Sequence, residues 1–341
     1  MTHHETPASE TASRPAVAGG ALRPAVILGG NRIPFARANT AYAEVGNQEM
    51  LTATLDGLVA RFGLQGERLG QVTAGAVLKH PRNFNLTREA VLGSALSAAT
   101  PAADVQVACA TGMEALGTLA NKIRLGQLDS AIGGGVDSIS DAPVSLSDGA
   151  RRVLLQLTTA KTMKDRLRAL AQLRPGQLVP EPAGAGEPRT GMSMGEHQAL
   201  TTHKWGITRQ AQDELAAASH RNLGAAYAAG YMDDLVTPFH GLARDNNLRP
   251  DSTPEKLAGL KPVFGRQLGD EATMTAGNST PLTDGASAVL LSSEEWAAER
   301  GLPVLAEFVD MENAAVDFVD GHEGLLLSLI HISEPTRPLY I

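Results

Sequence analysis

The stretch VQVACATGMEAL (residues 105–116) joins a short apolar run to the start of a helical pattern, and Cys109 lies at the junction. We predict a strand over 104–108 and a helix from about Gly112 to Leu125. The first N–H groups of a helix have no partner within the helix, so that end is electropositive and stabilises a thiolate. The small residues beside Cys109 leave space for a substrate. The pattern therefore predicts a nucleophilic thiol at a strand-to-helix turn, where parallel sheets bind ligands.

A second interpretation of Cys109 stays open at this point. The chain has 1 cysteine, and a lone cysteine is more often a small buried apolar side chain than a reactive group. A single cysteine also excludes a disulfide framework within the chain and a cysteine-rich metal site.

Strands and helices alternate on both sides of this turn. Apolar runs predict strands over 25–30 and 71–77 and a further strand that begins at 130–132 and ends in three glycines. Apolar residues at three- and four-residue steps predict helices over 47–62 and 85–96. This alternation is typical of a parallel α/β sheet.

The pattern changes after residue 150. A basic helical stretch covers 151–173, a loop rich in Pro and Gly covers 179–191, and a helix covers 208–229, with Thr208 as its cap and Gln212 close to a capping-box position. Strand character returns at 272–275, 286–291 and 303–310. We interpret the intervening residues as an insertion carried on the sheet domain.

Composition excludes several classes of protein. The 43% hydrophobic and 19% charged residues are ordinary for a globular chain with a large core. The net charge of -8 argues against nucleic acid as the main partner, because no excess of basic residues exists to displace counterions. No apolar run is long enough to span a bilayer, and no secretory signal is present at the start. We expect a cytoplasmic location.

The two ends differ from the rest of the chain. Residues 1–23 are rich in Ala, Pro, Ser and Thr without a helical period, which predicts a disordered tail. From Leu327 the sequence LSLIHISEPTR is the one that the DNA of a transposase adapter used in sequencing libraries would encode. We interpret residues 327–341 as an artefactual tail fused to a truncated gene; a natural proline-containing tail is the alternative.

Several segments, in order, resemble the thiolase family. The stretch around Cys109 is similar to its nucleophile motif, and AVILGGNRIPFAR (25–37) is similar to its first strand and R-x-P-F loop. AIGGGVDSISDAP (131–143) resembles its G-G-x-E-S-M-S segment, with Asp137 and Ile139 in place of Glu and Met. MGEHQALTTHKWGITRQAQDELAAASHRNLGAAYAAG (194–230) resembles the helical part of its loop domain, and TMTAGNSTPLTDGASAVLL (273–291) resembles its closing strands. The resemblance covers about residues 24–326 and favours the subgroup of the trifunctional β-subunit of fatty-acid oxidation.

The resemblance implies a thiolase-like layered α-β-α fold, with the N-terminal half and loop domain present and most of the C-terminal half missing. The implied divisions are a disordered tail (1–23), the first part of the N-terminal domain (24–150), the inserted loop domain (151–270), the closing strands (271–295), the start of the C-terminal domain (296–326) and the artefactual tail (327–341).

The resemblance also implies acyl transfer between a 3-ketoacyl-CoA and coenzyme A, with Cys109 as the acyl-thioester nucleophile. Met194, Ser279 and Thr280 would line the coenzyme A and acyl pocket; coenzyme A is a substrate, and no metal or permanent cofactor is expected. Packing and turn roles remain the alternatives for these three residues. Expected partners are acyl-CoA, a second copy of the chain and a trifunctional α-subunit.

The family's other catalytic motifs are missing from this sequence. They are a G-H-P histidine, a second cysteine in C-x-G, and an [NH]-E-A-F motif that His322–Glu323 does not continue. We therefore expect impaired activity. Three alternatives stay open: a thiolase whose C-terminal sequence is wrong, an inactive fragment, or a related enzyme that extends acyl chains on a carrier protein. The basic residues between 151 and 168 fit either the coenzyme's phosphates or a solvated helix face.

Overall fold

A mixed sheet forms the centre of the molecule. The computed structural model describes residues 22–319 apart from 183, 185, 314 and 316. Within that part the sheet has seven strands in the order β4-β3-β5-β8-β1-β9, with β2 paired to β8; β6 and β7 form a separate pair. The strands are β1 (Ala25–Arg32), β2 (Ala36–Arg37), β3 (Gln71–Ala74), β4 (Ala102–Asp104), β5 (Ser130–Asp137), β6 (Val144–Ser145), β7 (Glu181–Pro182), β8 (Thr283–Ser293) and β9 (Ala306–Glu307).

Helices lie on both faces of this sheet and in the segment between β5 and β8. They are α1 (Asn47–Phe62), α2 (Leu86–Gly93), α3 (Thr111–Arg124), α4 (Asp148–Thr159), α5 (Met163–Leu170), α6 (Met194–Lys204), α7 (Arg209–Ala228), α8 (Pro254–Ala258) and α9 (Glu294–Glu299). None of the helices in the described ranges is both long and apolar enough to cross a bilayer.

Alternate residues along the strands enter two separate hydrophobic cores. In β8, Leu290 packs with α1 and α2 residues in the larger core, whereas Leu291 packs with Leu119 and Ile123 of α3 in the smaller one. Because neighbouring strand residues point to opposite faces, α1 and α2 cover one face and α3 covers the other. The result is a three-layer α-β-α architecture, in agreement with the predicted fold class.

The sheet is not wholly parallel, which corrects one expectation. β3 runs parallel to β4 and β5, but β8 runs antiparallel to both of its neighbours, β5 and β1. Strand direction follows from which end of the sheet the chain re-enters, and an apolar run reads the same in both directions. The long segment between β5 and β8 returns the chain to the edge at which β5 ends, since Asp137 pairs with Gly285, so β8 runs in the reverse direction.

The local predictions were accurate where one element decides its own structure. α1 spans the predicted residues 47–62, and α7 begins directly after its predicted cap, Thr208, whose side chain accepts a hydrogen bond from the Ala211 N–H. Gln212 does not complete a capping box; its side-chain amide donates instead to the Ile207 carbonyl and the Thr273 hydroxyl.

Other boundaries were wrong for tertiary reasons. The strand predicted over 104–108 ends at Asp104, because the chain turns away from the sheet after the Val105 N–H bonds the Ala74 carbonyl. Residues 272–275 form no strand; only Thr275 makes an isolated bridge, to Pro262. The strand predicted over 303–310 is reduced to Ala306–Glu307 at the sheet edge. The basic stretch 151–173 is two helices, since Thr162 caps a new one.

The region between α4 and α8 is tied to the sheet by a buried ion pair. The guanidinium of Arg32, at the end of β1, donates to both carboxylate oxygens of Asp245 at 2.7 and 2.8 Å. The Phe35 N–H also donates to Asp245, at 2.7 Å. The division into domains stays a prediction. The predicted tails, apart from Leu22 and Arg23, and His322–Glu323 lie outside the described residues.

Candidate functional site

Cys109 lies on a tight turn between β4 and α3, and its side chain is exposed. α3 begins at Thr111 with Ala110 as its N-cap. Ala108, immediately before the cysteine, has a φ of 43°, a left-handed conformation that residues with a Cβ rarely adopt. Such strain persists only where the surrounding structure holds it, and it clusters at functional sites. Cys109 is therefore not a buried apolar filler, which removes the alternative interpretation of this residue.

Thr111 holds the turn in place. Its hydroxyl oxygen accepts the Val107 N–H at 2.9 Å and donates to the Ala108 carbonyl at 2.7 Å. The Ala110 N–H closes the turn by donating to the Val107 carbonyl at 2.9 Å. The Thr111 hydroxyl thus bonds the backbone before and after the Ala108 Cα, where the positive φ lies.

The start of α3 offers unpaired amides beside the cysteine. Among the described residues, the N–H groups of Gly112 and Met113 donate no hydrogen bond to the protein. Unpaired amides at a helix N-terminus carry partial positive charge and favour an anion in front of them. Cys109 thus lies just before a helix start, and its role as a nucleophile stays a prediction.

A cavity of about 240 Å³ opens in front of Cys109. Glycines make room for it: a Cβ on Gly75 would lie 1.8 Å from the Val105 carbonyl oxygen, and one on Gly285 would lie 2.2 Å from the Phe35 ring. Because these glycines have no Cβ, the backbone can approach other backbone and the Phe35 ring closely. The ends of β3, β5 and β8 and the start of α3 therefore surround the cavity. The lining residues are Phe35, Gly75, Ala108, Cys109, Thr111, Gly112, Gly135, Val136, Asp137, Gly285, Ala286 and Ser287.

Asp137 places a carboxylate in the wall of this cavity. Its oxygens accept the Val77 N–H at 3.0 Å and the Leu78 N–H at 2.8 Å. Burial raises the pKa of the Asp137 carboxyl, and the two amides offset only part of that rise. The side chain thereby fixes the loop that follows β3 to the end of β5.

Ser279 and Thr280 line a different and larger cavity, of about 510 Å³. It lies between α6, α7 and the loop before β8, and its walls include Leu215, Leu223 and Asn278. The Ser279 Oγ atom is buried and has no hydrogen-bond partner among the described residues. A buried hydroxyl without a partner is costly unless a ligand or water completes it, so this cavity is the better candidate for a polar ligand.

Met194 lines neither cavity. It is the first residue of α6, and its side chain is 37% exposed. The helix start packs on Phe264, since a Cβ on Gly195 would lie 2.5 Å from that ring. The structure thus brings Ser279 and Thr280 together but separates them from the Cys109 cavity, and Met194 stands apart from both.

Thr111 and Phe35 are site residues that sequence reasoning missed. Thr111 has no role assigned from the sequence, although a hydroxyl two residues after a turn cysteine is placed to bond the turn's backbone. Phe35 belongs to the quoted R-x-P-F loop, but nothing local shows that it reaches residue 285. Within residues 22–319, gaps excepted, no cluster of three or more His, Cys, Asp or Glu side chains could hold a metal ion.

Comparison with known proteins identifies similar chains. A model of the thiolase N-terminal domain matches residues 25–295. A 3-ketoacyl-CoA thiolase of Yersinia pestis (strain Pestoides F) is 37% identical over 298 residues, which is 86% of this chain and 68% of the relative. The same figures hold for a 3-ketoacyl-CoA thiolase of Yersinia pseudotuberculosis (strain YPIII). The crystal structure of the Bacillus anthracis acetyl-CoA acetyltransferase superposes with a TM-score of 0.69 at 28% identity, covering 84% of this chain and 70% of that one.

Proposed function

The chain belongs to the thiolase family of acyltransferases, and from that premise we propose that it transfers acyl groups between a 3-ketoacyl-CoA and coenzyme A through a thioester on Cys109. The observation that carries this proposal is the exposed Cys109 thiol on a strained turn, in front of a cavity and beside two unpaired amides at the start of α3. A cysteine in that setting is a nucleophile with space for an acyl group.

The first half-reaction forms the thioester. The Cys109 thiolate attacks the keto carbon of the substrate, and the negative charge moves to the keto oxygen. The bond between that carbon and the α-carbon then breaks, which leaves an acyl group on the sulfur and releases the enolate of acetyl-CoA. Protonation of the enolate at its α-carbon gives acetyl-CoA. An N–H donor aimed at the developing oxyanion is worth about 3 kcal/mol; the Gly112 and Met113 amides are the donors that the turn offers.

The second half-reaction returns the acyl group to coenzyme A. The coenzyme's thiolate attacks the thioester carbonyl, the bond to the Cys109 sulfur breaks, and a shortened acyl-CoA leaves. Both half-reactions are reversible, so the same residues serve condensation of two acyl-CoA molecules. The negative charge again develops on an oxygen in front of the start of α3.

We assign Ser279 and Thr280 to coenzyme A. They line the cavity of about 510 Å³, which combines apolar walls with polar groups as a long amphipathic ligand requires. The unpartnered Ser279 hydroxyl supports a polar ligand there. We assign Met194 to the acyl pocket on the resemblance alone, since it lines neither cavity in the described part of the chain.

This sequence does not include the motifs that the family uses for proton transfer. It contains no G-H-P motif and no cysteine besides Cys109. Positioned acids and bases contribute about two to four powers of ten for each step they serve. We propose that Cys109 accepts the acyl group, and that each step that needs such an acid or base is slowed by about this factor wherever none is supplied. A non-catalytic polypeptide and a carrier-protein condensing enzyme remain the second and third candidates, and each predicts a different outcome below.

The wider role is proposed on the names of the relatives. The name 3-ketoacyl-CoA thiolase supports a place in fatty-acid β-oxidation. We also propose a cytoplasmic location and assembly as a homo-oligomer or with a trifunctional α-subunit, on the resemblance to the family. These assignments rest on the family alone and are independent of the cavity geometry.

The test is acylation of Cys109 by acetyl-CoA, followed by intact-mass spectrometry and peptide mapping. We expect one acetyl group on Cys109 and release of free coenzyme A. The matched control is the same chain unfolded in urea, which keeps the thiol but loses the turn and must react more slowly. Equal rates for the folded and unfolded chains would show that the fold does not activate the thiol. Acylation of Cys109 by an acetyl group carried on an acyl carrier protein, but not by acetyl-CoA, would favour the enzyme that extends chains on a carrier protein.

A further inference from the structure

α7 buries a carboxylate, although most of its residues are exposed or half-buried. The buried residues of this helix are Asp213, Ala217 and Tyr227, and the Asp213 side chain is 2% exposed. Apolar residues of similar size in place of a buried ion pair often leave stability unchanged or increase it. Stability alone therefore does not explain the buried carboxylate, and the groups that it orients are the better explanation.

Each carboxylate oxygen of Asp213 has its own partner. Oδ2 accepts the Arg209 Nε–H at 2.8 Å, from one turn earlier on α7. Oδ1 accepts the side-chain amide of Asn278 at 2.9 Å, from the loop before β8. The Arg209 guanidinium also donates to the backbone carbonyls of Leu257 and Leu260 at 2.6 and 3.1 Å. The carboxylate thus connects α7 to the loop before β8 and, through Arg209, to α8 and the residues after it.

The Asn278 side chain sets the conformation of the loop that carries it. Its carbonyl oxygen accepts the Thr275 N–H at 2.7 Å, and its amide also donates to the Thr273 carbonyl at 3.1 Å. Only the NH2 group of an asparagine can donate to a carboxylate, so the bond to Asp213 fixes which way the amide faces. The carbonyl oxygen is thereby held toward the Thr275 N–H, in a stretch that forms no helix or strand of its own.

The same loop lines the cavity of about 510 Å³, through Asn278, Ser279 and Thr280. The Ser279 Oγ atom has no hydrogen-bond partner among the described residues, so the backbone of the loop decides where this hydroxyl lies. Asp213 is not one of the residues that line the cavity, whereas its neighbour on α7, Gln212, is. Asp213 therefore acts on the cavity through Asn278 and not by contact with a ligand.

We propose that Asp213 is a positioning residue for coenzyme A: its carboxylate orients the Asn278 amide, which holds Ser279 and Thr280 in the conformation that binds the ligand. The proposal rests on the assignment of this cavity to coenzyme A. A loop that is ordered before the ligand arrives loses less conformational freedom on binding. Cys109 lies in a separate cavity, so its reaction with bound acyl-CoA does not depend on Asp213.

The test is calorimetric titration of the full chain with coenzyme A. Asp213→Ala should raise the Kd about tenfold, which corresponds to a loop that is in the binding conformation about a tenth of the time. Acylation of Cys109 should then require about tenfold more acetyl-CoA for half-maximal rate, with the rate at saturation unchanged. A merely structural role would not produce this separation between binding and rate.

A double-mutant cycle tests whether Asp213 acts through Asn278. Asn278→Ala should also weaken coenzyme A binding, and the double variant with Asp213→Ala should bind no more weakly than Asn278→Ala alone. A second variant avoids a buried charge without a partner: Arg209→Met with Asp213→Leu is apolar and of similar size, so it should fold. It cannot accept the Asn278 amide, and its Kd should rise about tenfold as well.

The matched control is Asp104→Ala, which removes a carboxylate that pairs with Lys79 at 2.8 Å and accepts the Leu86 and Thr87 N–H groups. It should lower the free energy of unfolding in urea but change the Kd for coenzyme A by less than about twofold, because it is remote from the loop.

The outcomes separate this proposal from the proposed function. Parent-like affinity in Asp213→Ala or in the apolar double variant would overturn the positioning role and leave the assignment of coenzyme A to the cavity intact. Independent, multiplying effects of Asp213→Ala and Asn278→Ala would also overturn it. A folded parent chain that binds no coenzyme A would overturn both proposals.

Discussion

At the scale of single residues, the position of Cys109 in its turn depends on a hydroxyl that does not touch it. Thr111 bonds the amide of Val107 and the carbonyl of Ala108, on either side of the φ of 43°. Without these bonds the Ala108 backbone can relax toward a negative φ, which costs less. The cysteine would then leave its position in front of the helix start.

We expect Thr111→Val to slow alkylation of Cys109 by iodoacetamide in the folded protein and to lower the free energy of unfolding by about 1 to 2 kcal/mol. Two partly buried hydrogen bonds are lost while the side-chain shape is kept. The control is Thr118→Val on the same helix, whose hydroxyl donates only to Glu114 at 3.2 Å. If Thr111→Val is alkylated at the same rate as the parent chain, the turn keeps its conformation without the Thr111 hydroxyl.

Asp137 and Asp104 should respond to pH with opposite signs. Burial raises the pKa of Asp137 in the folded state, so its contribution to stability is full below about pH 4 and is lost as pH rises through the folded value. Burial also acts to raise the pKa of Asp104, but hydrogen bonds from Lys79 and Thr87 bring it below its ordinary range. Its contribution is therefore present above about pH 4 and is lost as pH falls.

The matched variants are Asp137→Asn and Asp104→Asn, compared by urea unfolding from about pH 2 to 7, so that the range extends below and above the ordinary carboxyl pKa of about 4. Relative to the parent chain, Asp137→Asn should gain stability as pH rises, since the amide oxygen still accepts a backbone N–H and no charge is buried. Asp104→Asn should lose stability over the same range. The same sign in both variants would contradict the assignment.

At the scale of elements, glycines set how closely β5 and β8 approach. A Cβ on Gly134 would lie 2.4 Å from the Ser287 carbonyl oxygen and 3.1 Å from the Ala288 Cα. Both neighbours are backbone, so neither can move without shifting β8. The same two strands carry Gly135 and Ser287 into the Cys109 cavity, which links the strand spacing to the site.

We expect Gly134→Ala to destabilise the fold by about 2 to 3 kcal/mol, because overpacking forces a backbone shift. Gly176→Ala is the control: no atom lies within 4 Å of its added Cβ, and its unfolding free energy should change by less than about 0.5 kcal/mol. Thermal unfolding of the three proteins measures both. Equal midpoints would show that β8 is free to move.

At the scale of the whole molecule, one ion pair joins residues 213 positions apart in sequence. The Asp245 side chain is 4% exposed and that of Arg32 is 16% exposed. Asp245 also holds the Phe35 amide, so it connects the region after α7 to the loop whose ring lines the Cys109 cavity. Arg300 and Glu67 form a more exposed pair at 3.1 Å.

Asp245→Ala should lower the free energy of unfolding by about 3 to 5 kcal/mol, since it leaves a largely buried guanidinium without its partner. Glu67→Ala should cost less than about 1 kcal/mol, as is usual for exposed pairs. Urea unfolding monitored by circular dichroism compares them. A loss of similar size in both variants would mean that the Arg32 pair does not join the two regions.

The fold class and the place of Cys109 could be predicted because both have local causes. The periodicity of residues 47–62 and the cap at Thr208 act within one helix, and both predictions were confirmed. The helix start beside Cys109 follows from an apolar run, small residues and a helical pattern in adjacent positions. The roles of Met194, Ser279 and Thr280 stay predictions, since their resemblance to a motif carries no information on which cavity each one lines.

By itself the amino-acid sequence determined most of the helices and strands, that they form an α/β protein, and that the single cysteine lies just before a helix. These features depend on residues a few positions apart. Only the tertiary structure decided that β8 runs antiparallel, that Ala108 takes a positive φ, and that Thr280 and Cys109 line separate cavities. Each of these depends on backbone atoms brought together from distant parts of the chain, where contact geometry rather than local preference sets the lowest free energy.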